Sequence, residues 1–162
     1  MVVNMKIAKV ACPAAVAMLR QATALAPKRS KVSDGLLPSA AHIKQSPVSD
    51  HNTGLAVDLT HDVKNGIDCA VLFEEFKKDV RVDYLIFNRK IWSRARSEEG
   101  NRNYTGSNPH NKHLHVSIRA AYSNDVSSWF KFLGRKAKPL AQVKAILSRS
   151  PKKKNIPSPK EA

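Results

Sequence analysis

Cysteine is scarce in this sequence, with Cys12 and Cys69 the two copies among 162 residues. Two cysteines are too few for the disulfide framework that holds many small secreted domains together. Neither cysteine has neighbours at metal-ligand spacing. We therefore favour two small buried residues, with a Cys12–Cys69 disulfide as the alternative.

Long apolar runs are also missing, because no stretch approaches the ~20 residues that a membrane-spanning helix needs. Residues 10–19 are uncharged and superficially resemble a signal peptide. This stretch is short and rich in alanine, and it has no convincing cleavage site before Arg20. Pro13 suits the first turn of a helix. We therefore predict a helix over residues 14–25 and expect no Sec-dependent export.

Acidic residues are few compared with basic ones, and the formal net charge is +15. The imbalance is greatest at the end of the chain, where residues 131–162 contain ten Lys or Arg and one acid, Glu161. Such a segment should attract polyanions: nucleic acid, an anionic lipid surface or anionic cell-wall polymers. A solvated tail that serves only solubility is the alternative. No internal repeat is visible.

Apolar periodicity predicts the central elements of the fold. Residues 67–78 carry an apolar stripe typical of an amphipathic helix. The mostly apolar run 82–88 indicates a buried strand, and Ile91 and Trp92 are predicted to continue the sheet at its edge. With 42% apolar residues, the chain is suited to one folded domain with its own core.

The last part of the chain is expected to be helical and then disordered. A helix is predicted after Asn124, because apolar residues recur there at helical spacing, and Gly134 should end it. We assign residues 1–134 to the folded domain and residues 135–162 to a basic helix and a disordered tail. The apolar residues at helical spacing after Asn124 are Val126, Trp129, Phe130 and Leu133.

Two short stretches contain the residues that could bind a metal or take part in catalysis. The first contains His51 and Asp58 on either side of Gly54, and the second contains His110, His113 and His115. After Gly54, apolar residues alternate with Ala56 and Asp58, as in a strand with one face in the core. The residues following His113 alternate in the same way.

If the two strands pair, Asp58 and His115 project from one face, and His51 reaches them from the loop before the first strand. Two imidazoles and one carboxylate with an open fourth position suit catalytic Zn²⁺. The predicted fold class is therefore α+β, with a small antiparallel sheet that carries one zinc ion per chain and packs against helices.

Other residues are candidates for binding substrate. Arg29 suits bidentate pairing with a carboxylate, although a surface arginine is the commoner explanation. Ser49 precedes the first ligand, and its hydroxyl is expected either to hold the loop or to bind substrate. Tyr104 lies in the long polar stretch 93–109, which we interpret as one wall of the groove. It is expected to donate a hydrogen bond to substrate or to pack on that loop.

The motifs resemble those of the LAS metallopeptidases, a group named after lysostaphin, D-Ala-D-Ala peptidases and Sonic hedgehog. The resemblance rests on Ser49-x-His51-x-x-Gly54-x-Ala56-x-Asp58 and His113-x-His115, and is strongest to phage endolysin peptidases. It implies a hedgehog/DD-peptidase-like fold, with His51, Asp58 and His115 as zinc ligands. It also implies His113 as the catalytic group, supported by His110, although no carboxylate stands between Pro109 and His115 where many relatives have one.

The same resemblance implies a zinc-dependent peptidoglycan peptidase that cuts the stem peptides or cross-links of the cell wall. The protein would be a phage-encoded monomer made in the bacterial cytoplasm, with peptidoglycan as its partner and no specific nucleic acid. The basic tail would bind an anionic wall or membrane surface. A metal-dependent nuclease and a non-catalytic zinc-binding module are the alternatives.

Overall fold

A five-stranded antiparallel sheet is the centre of the fold in the computed structural model, which describes residues 6–133. The strand order is β1-β5-β2-β3-β4, and every neighbouring pair is antiparallel. The mixed α and β composition around a small antiparallel sheet confirms the α+β part of the prediction. The strands are β1 (Ala56–Thr60), β2 (Val82–Phe87), β3 (Lys90–Ser93), β4 (Arg102–Asn103) and β5 (His113–Ile118), and the helices are α1 (Pro13–Leu25), α2 (Ala40–Gln45) and α3 (Cys69–Phe76).

The register of β1 and β5 gives the sheet one apolar and one polar face. Asp58 lies opposite His115, and Leu59 lies opposite Leu114. Because side chains alternate along a strand, each opposed pair shares a face. Leu59 and Leu114 are fully buried in the core, whereas Asp58 remains partly accessible. The predicted alternation in both strands is therefore confirmed.

Helices α1 and α3 contribute to the core. α1 contributes small side chains such as Ala14 and Ala22 together with Met18, all fully buried. α3 contributes Phe73 and Phe76 from the predicted stripe. Both helices lie where the sequence predicts them, although α3 is two residues shorter at each end. Asp68 explains its start, because the carboxylate accepts from the amide of Ala70.

A tight turn follows His51, and Gly54 is required in it. Gly54 has φ +74°, and a Cβ there would lie 2.7 Å from the carbonyl oxygen of Val10. The amide of Cys12 also donates to the Gly54 carbonyl (2.9 Å). The turn thus combines a left-handed backbone with a close approach to the segment before α1, and both features favour glycine.

The helix predicted after Asn124 is wrong. The chain forms turns there and then a short 3₁₀ helix, Lys131–Leu133. Arg81 explains the difference: its fully buried guanidinium donates to the carbonyls of Asp125, Ser127 and Ser128. These carbonyls accept hydrogen bonds from the Arg81 side chain, whereas in a helix they would accept from backbone amides of the next turn.

Two further elements differ from the sequence-based expectations. α2 was not predicted; Ser39 caps it by accepting from the amide of His42. The stretch 93–109, predicted to lack regular structure, contains the 3₁₀ segment Arg94–Glu99 and the short strand β4.

Among residues 6–133, none of the helices has the length and apolar character that a membrane span requires. Both cysteines are free; Cys69 is buried as expected, whereas Cys12 is only partly buried. The predicted helix and tail over residues 135–162 lie outside the described part of the chain.

Candidate metal centre

The three predicted metal ligands converge at one point on the polar face of the sheet. One potential ligand atom from each of His51, Asp58 and His115 lies within 4.8 Å of the other two. The two histidines are buried and the aspartate is partly exposed. β1 and β5 supply Asp58 and His115 as directly opposed residues, and the turn at Gly54 brings His51 from the preceding loop.

The hydrogen bonds of His51 determine which of its nitrogens can bind a metal. Nδ1 of His51 lies 3.0 Å from the carbonyl oxygen of Leu36, and since a carbonyl only accepts, Nδ1 carries the proton. The Nε2 lone pair therefore points to Asp58 Oδ2, 3.2 Å away, and Nε2 has no hydrogen-bond partner among the described residues. Two acceptors at this distance need a cation between them. A metal ion meets that requirement, and so does a proton.

The distances around Asp58 fit a shared ion. Nδ1 of His115 lies 3.1 Å from Oδ1 of Asp58, and the His51 contact to the other oxygen is 3.2 Å. Ligands held at about 2.0–2.1 Å in a tetrahedral zinc site are separated by about 3.3 Å. Both histidine–aspartate distances are therefore compatible with a metal of this class, and the three ligand atoms lie within 4.8 Å of one another.

The electrostatics of the cluster favour a charged Asp58. Burial raises the pKa of this carboxyl, but the contacts with His115 and His51 outweigh it and hold the pKa far below its usual range. For His51, burial acts to lower the pKa, and the contact with Asp58 reverses the effect, so its pKa is raised. Asp58 is thus an anion poised to neutralise a cation.

His113 and His110 lie beside the three ligands. Nε2 of His113 is 3.7 Å from Oδ1 of Asp58, and the His110 and His113 rings are 5.0 Å apart in an edge-on arrangement. Burial lowers the pKa of both residues, that of His110 to about 4. Nδ1 of His110 donates to the carbonyl of Asn108, so its Nε2 is available as an acceptor.

The backbone of His110 is held in an uncommon conformation. Its φ is +52°, in the left-handed region that few residues other than glycine adopt. The turn between β2 and β3 holds it there: the amide of Asn88 donates to the His110 carbonyl and that of Arg89 to the Pro109 carbonyl. Such local strain is often found where a side chain must be aimed at a site.

A cavity of about 490 Å³ opens onto this cluster. All three ligands and both additional histidines line it, as do Ser49 and Tyr104. Tyr104 packs edge-on against His110, with ring centres 5.4 Å apart. Ser49 Oγ lies 3.0 Å from Nε2 of His42. His42 also lines the cavity.

Arg29 is not at this site, and the expected contact with a substrate carboxylate is wrong. Its side chain is buried, and the guanidinium makes a bidentate pair with Asp34 at 2.7 and 2.9 Å. Further donation to Thr23 and to backbone carbonyls uses its remaining hydrogens. The hydrogen bonds of Arg29 therefore hold the loop over residues 29–36 in place, and they leave no donor for a ligand.

The loop that Arg29 organises supports two of the ligands. Asp34 accepts from the amide and hydroxyl of Thr60, and Gly35 exchanges both backbone hydrogen bonds with Asp58. Leu36, next along the loop, accepts from His51. The loop thus covers the free edge of β1 and fixes the surroundings of both ligands.

Tyr84 and Asp50 are residues of the site that sequence reasoning missed. The Tyr84 ring stacks on His115, with centres 5.4 Å apart. Burial, followed by the nearby Asp50 carboxylate, raises the pKa of Tyr84. Asp50 also accepts from the hydroxyl of Ser117. Tyr84 is on the polar face because it pairs with Ser117, and this register could not be read from one sequence.

Comparison with protein families identifies one relationship. Residues 13–115 match the model of the family described as VldE, C-terminal domain. The chain belongs to this family. The matched region covers well over half of the chain and extends from the start of α1 to His115, so it contains all three candidate ligands. Neither the comparison with curated proteins nor that with solved structures gave a match.

Proposed function

We propose that this protein is a zinc-dependent peptidase that hydrolyses peptide bonds of peptidoglycan. One observation carries the proposal: His51, Asp58 and His115 present potential ligand atoms within 4.8 Å of one another, at the wall of an open cavity. A structural zinc site would use four protein ligands, whereas three leave room for water or substrate. The peptidoglycan substrate class rests on the resemblance to LAS peptidases and endolysins.

The ligand set agrees with zinc. Imidazole and carboxylate ligands suit zinc, but they also suit other divalent first-row metals. Bound zinc would polarise the scissile carbonyl and lower the pKa of a coordinated water to about 7. His51 and His115 are neutral donors, so with Asp58 the centre keeps a net positive charge.

The remaining chemistry falls to side chains beside the ligands. His113 would accept a proton from the attacking water and pass it to the leaving amine, a role that typically raises the rate about 10²- to 10⁴-fold. Its lowered pKa keeps the imidazole neutral and able to accept that proton. His110, in edge-on contact with His113, would orient it, and Tyr104 and Ser49 would bind substrate from the cavity wall.

The direct test is digestion of isolated peptidoglycan by the purified protein, with and without a chelator. We expect release of wall peptides that the chelator abolishes and added Zn²⁺ restores. A parallel incubation with DNA tests the metal-dependent nuclease. DNA cleavage without peptide release would contradict the peptidase proposal, and inactivity on both substrates despite bound zinc would indicate a non-catalytic module.

A further inference from the structure

The two histidine ligands are held in different ways. Nδ1 of His51 donates to the carbonyl of Leu36, which fixes the ring and leaves Nε2 to face Asp58. His115 faces the same carboxylate through Nδ1, and its Nε2 is buried without a hydrogen-bond partner among residues 6–133. Histidines that bind metals usually donate from the second ring nitrogen to a carbonyl or carboxylate, and that hydrogen bond orients the ring. A different contact therefore has to orient His115.

Three aromatic rings surround the imidazole of His115. The rings of His51 and His110 meet it edge-on, with ring centres 5.0 and 5.7 Å away. The ring of Tyr84 instead lies nearly parallel to it, at an interplanar angle of 23° and with ring centres 5.4 Å apart. Rotation of the imidazole about its Cβ–Cγ bond would break this stack, so the Tyr84 ring restrains that rotation.

The register of β2 and β5 explains why Tyr84 reaches this position. Tyr84 lies opposite Ser117, and Ile86 lies opposite His115. Because Ser117 and His115 are two residues apart on β5, they share the polar face, and Tyr84 is the diagonal neighbour of His115. Diagonal neighbours on antiparallel strands are about 7–8 Å apart, which an aromatic side chain can span.

The Tyr84 ring is itself anchored at its hydroxyl. This hydroxyl is hydrogen-bonded with the Asp50 carboxylate and with Ser117, and Ser117 also donates to Asp50. Ser117 is fully buried, which shields these hydrogen bonds from water. Asp50 adjoins His51 in the chain, so the network connects the loop that carries His51 to the strand that carries His115.

We propose that Tyr84 is a positioning residue for the metal centre: its anchored ring keeps Nδ1 of His115 directed at Asp58 before a metal binds. The stack takes the place of the hydrogen bond that usually orients a metal-binding histidine. A ligand that is already oriented loses less conformational freedom on binding, so the stack raises zinc affinity. This role rests on the metal centre of the proposed function and is independent of the substrate.

The test compares the zinc affinity of the full-length wild-type protein with that of two variants at Tyr84. Tyr84→Leu removes the ring, whereas Tyr84→Phe keeps it and removes only the hydroxyl. In competition titration against a zinc indicator, we expect Tyr84→Leu to bind zinc about 10- to 100-fold more weakly, the range found when a residue that orients a metal ligand is replaced. Tyr84→Phe should restore the affinity to within about threefold of wild type, since the stack remains.

Phe87→Leu is the matched control, because it removes a ring from the same strand on the opposite face. Phe87 is three residues after Tyr84 and is buried in the apolar core. Its replacement should destabilise the fold, but the zinc affinity of the folded protein should stay within about twofold of wild type. If Tyr84→Leu does not fold, Tyr84→Met fills the same space with a flexible side chain and should weaken zinc binding in the same direction.

The possible failures are distinguishable. Stoichiometric zinc in wild type together with unchanged affinity in Tyr84→Leu would contradict the positioning role and leave the proposed function standing. The same conclusion would follow if Tyr84→Phe or Phe87→Leu weakened zinc binding as much as Tyr84→Leu does. A wild-type protein that binds no zinc would remove the metal centre, and with it both the proposed function and the role of Tyr84.

Discussion

Asp58 is the residue that joins the two histidine ligands into one cluster. Its two carboxylate oxygens face different rings, Oδ2 towards His51 and Oδ1 towards His115. It also carries the negative charge that a cation requires, since its pKa is held far below the usual range. The neighbouring His113 approaches the same carboxylate at a longer distance, 3.7 Å from Nε2 to Oδ1.

Replacement of His113 should separate catalysis from metal binding. We expect His113→Gln to lower kcat for peptide release about 10²- to 10⁴-fold, because glutamine can neither accept nor deliver the proton. Bound zinc should stay at the wild-type level, since His113 is not one of the three converging ligands. Steady-state kinetics and metal analysis of the same preparation measure both quantities.

His61→Gln is the matched control for this substitution. His61 accepts from the amide of Cys69 and packs near Phe87, away from the residues that line the metal cavity. Its replacement should leave kcat within about twofold of wild type, as for substitutions outside a site. If His113→Gln kept full kcat or lost the metal, its assigned role would be wrong.

At the residue scale, the sequence predicted the convergence of three side chains better than it predicted the surroundings of Arg29. His51, Asp58 and His115 could be grouped because strand alternation places Asp58 and His115 on one face once the two strands pair with their apolar sides together. Arg29 could not be judged in this way. Its role depends on whether Asp34, five residues on, folds back to pair with it, and no periodicity encodes that choice.

At the scale of elements, the loop from Arg29 to Leu36 supports the site from the edge of β1. The Arg29–Asp34 pair holds it, and the pair is largely shielded from water. Burial raises the pKa of Asp34, but hydrogen bonds from Arg29 and Thr60 outweigh it, so the pKa is lowered. A carboxyl with a depressed folded-state pKa stabilises the fold above its unfolded pKa, and this stabilisation is lost as pH falls through the folded value.

Asp34→Asn should therefore reduce stability at neutral pH. Removing one partner of a buried ion pair costs about 3–5 kcal/mol, and we expect about 3 because the amide oxygen of asparagine still accepts one hydrogen bond. The variant should also lose less stability than wild type on acidification below about pH 4, where unfolded aspartate titrates. Denaturant unfolding measured from pH 7 to pH 3 tests both expectations.

Asp83→Asn provides the comparison for this measurement. Asp83 is an exposed carboxylate on β2, and its replacement should change stability by no more than about 0.5 kcal/mol. Equal stability of Asp34→Asn and Asp83→Asn at pH 7 would contradict a structural role for the ion pair.

Elements with a strong apolar period could be predicted from the sequence, and those fixed by distant side chains could not. α1, α3, β1, β2, β3 and β5 follow their patterns. The segment after Asn124 has an equally clear helical period. Its backbone carbonyls, however, accept hydrogen bonds from the buried Arg81, more than forty residues earlier in the sequence. Trp129, Phe130 and Leu133 are nevertheless buried, so the pattern predicted their burial correctly and their conformation wrongly.

At the scale of the whole molecule, we expect the folded domain to carry catalysis and the basic C-terminal segment to attract the protein to an anionic surface. Truncation after Gly134 removes nine of the 28 Lys and Arg residues and none of the candidate site. We expect kcat/KM on a soluble stem peptide to stay within about twofold of wild type. Lysis of intact cells should fall about tenfold or more at low salt, since electrostatic attraction raises local encounter rates by 10- to 10³-fold.

Salt provides the internal control for this comparison. At about 1 M NaCl, where the screening length is about 3 Å, the full-length and truncated proteins should lyse cells at similar rates. Equal loss of soluble-peptide cleavage and cell lysis in the truncated protein would contradict the proposed separation of catalysis from surface attraction.

Metal binding by the purified protein tests the central claim most directly. Competition titration against a zinc indicator, for wild type and for Asp58→Asn, measures stoichiometry and affinity together. We predict one zinc per chain in wild type. In Asp58→Asn the zinc affinity should be at least about 100-fold weaker. Substitution of a residue that only hydrogen-bonds to a metal ligand already lowers metal affinity about 10- to 100-fold, and loss of a ligand itself should have a larger effect. A wild-type protein without stoichiometric zinc, or an Asp58→Asn variant with unchanged affinity, would contradict the account.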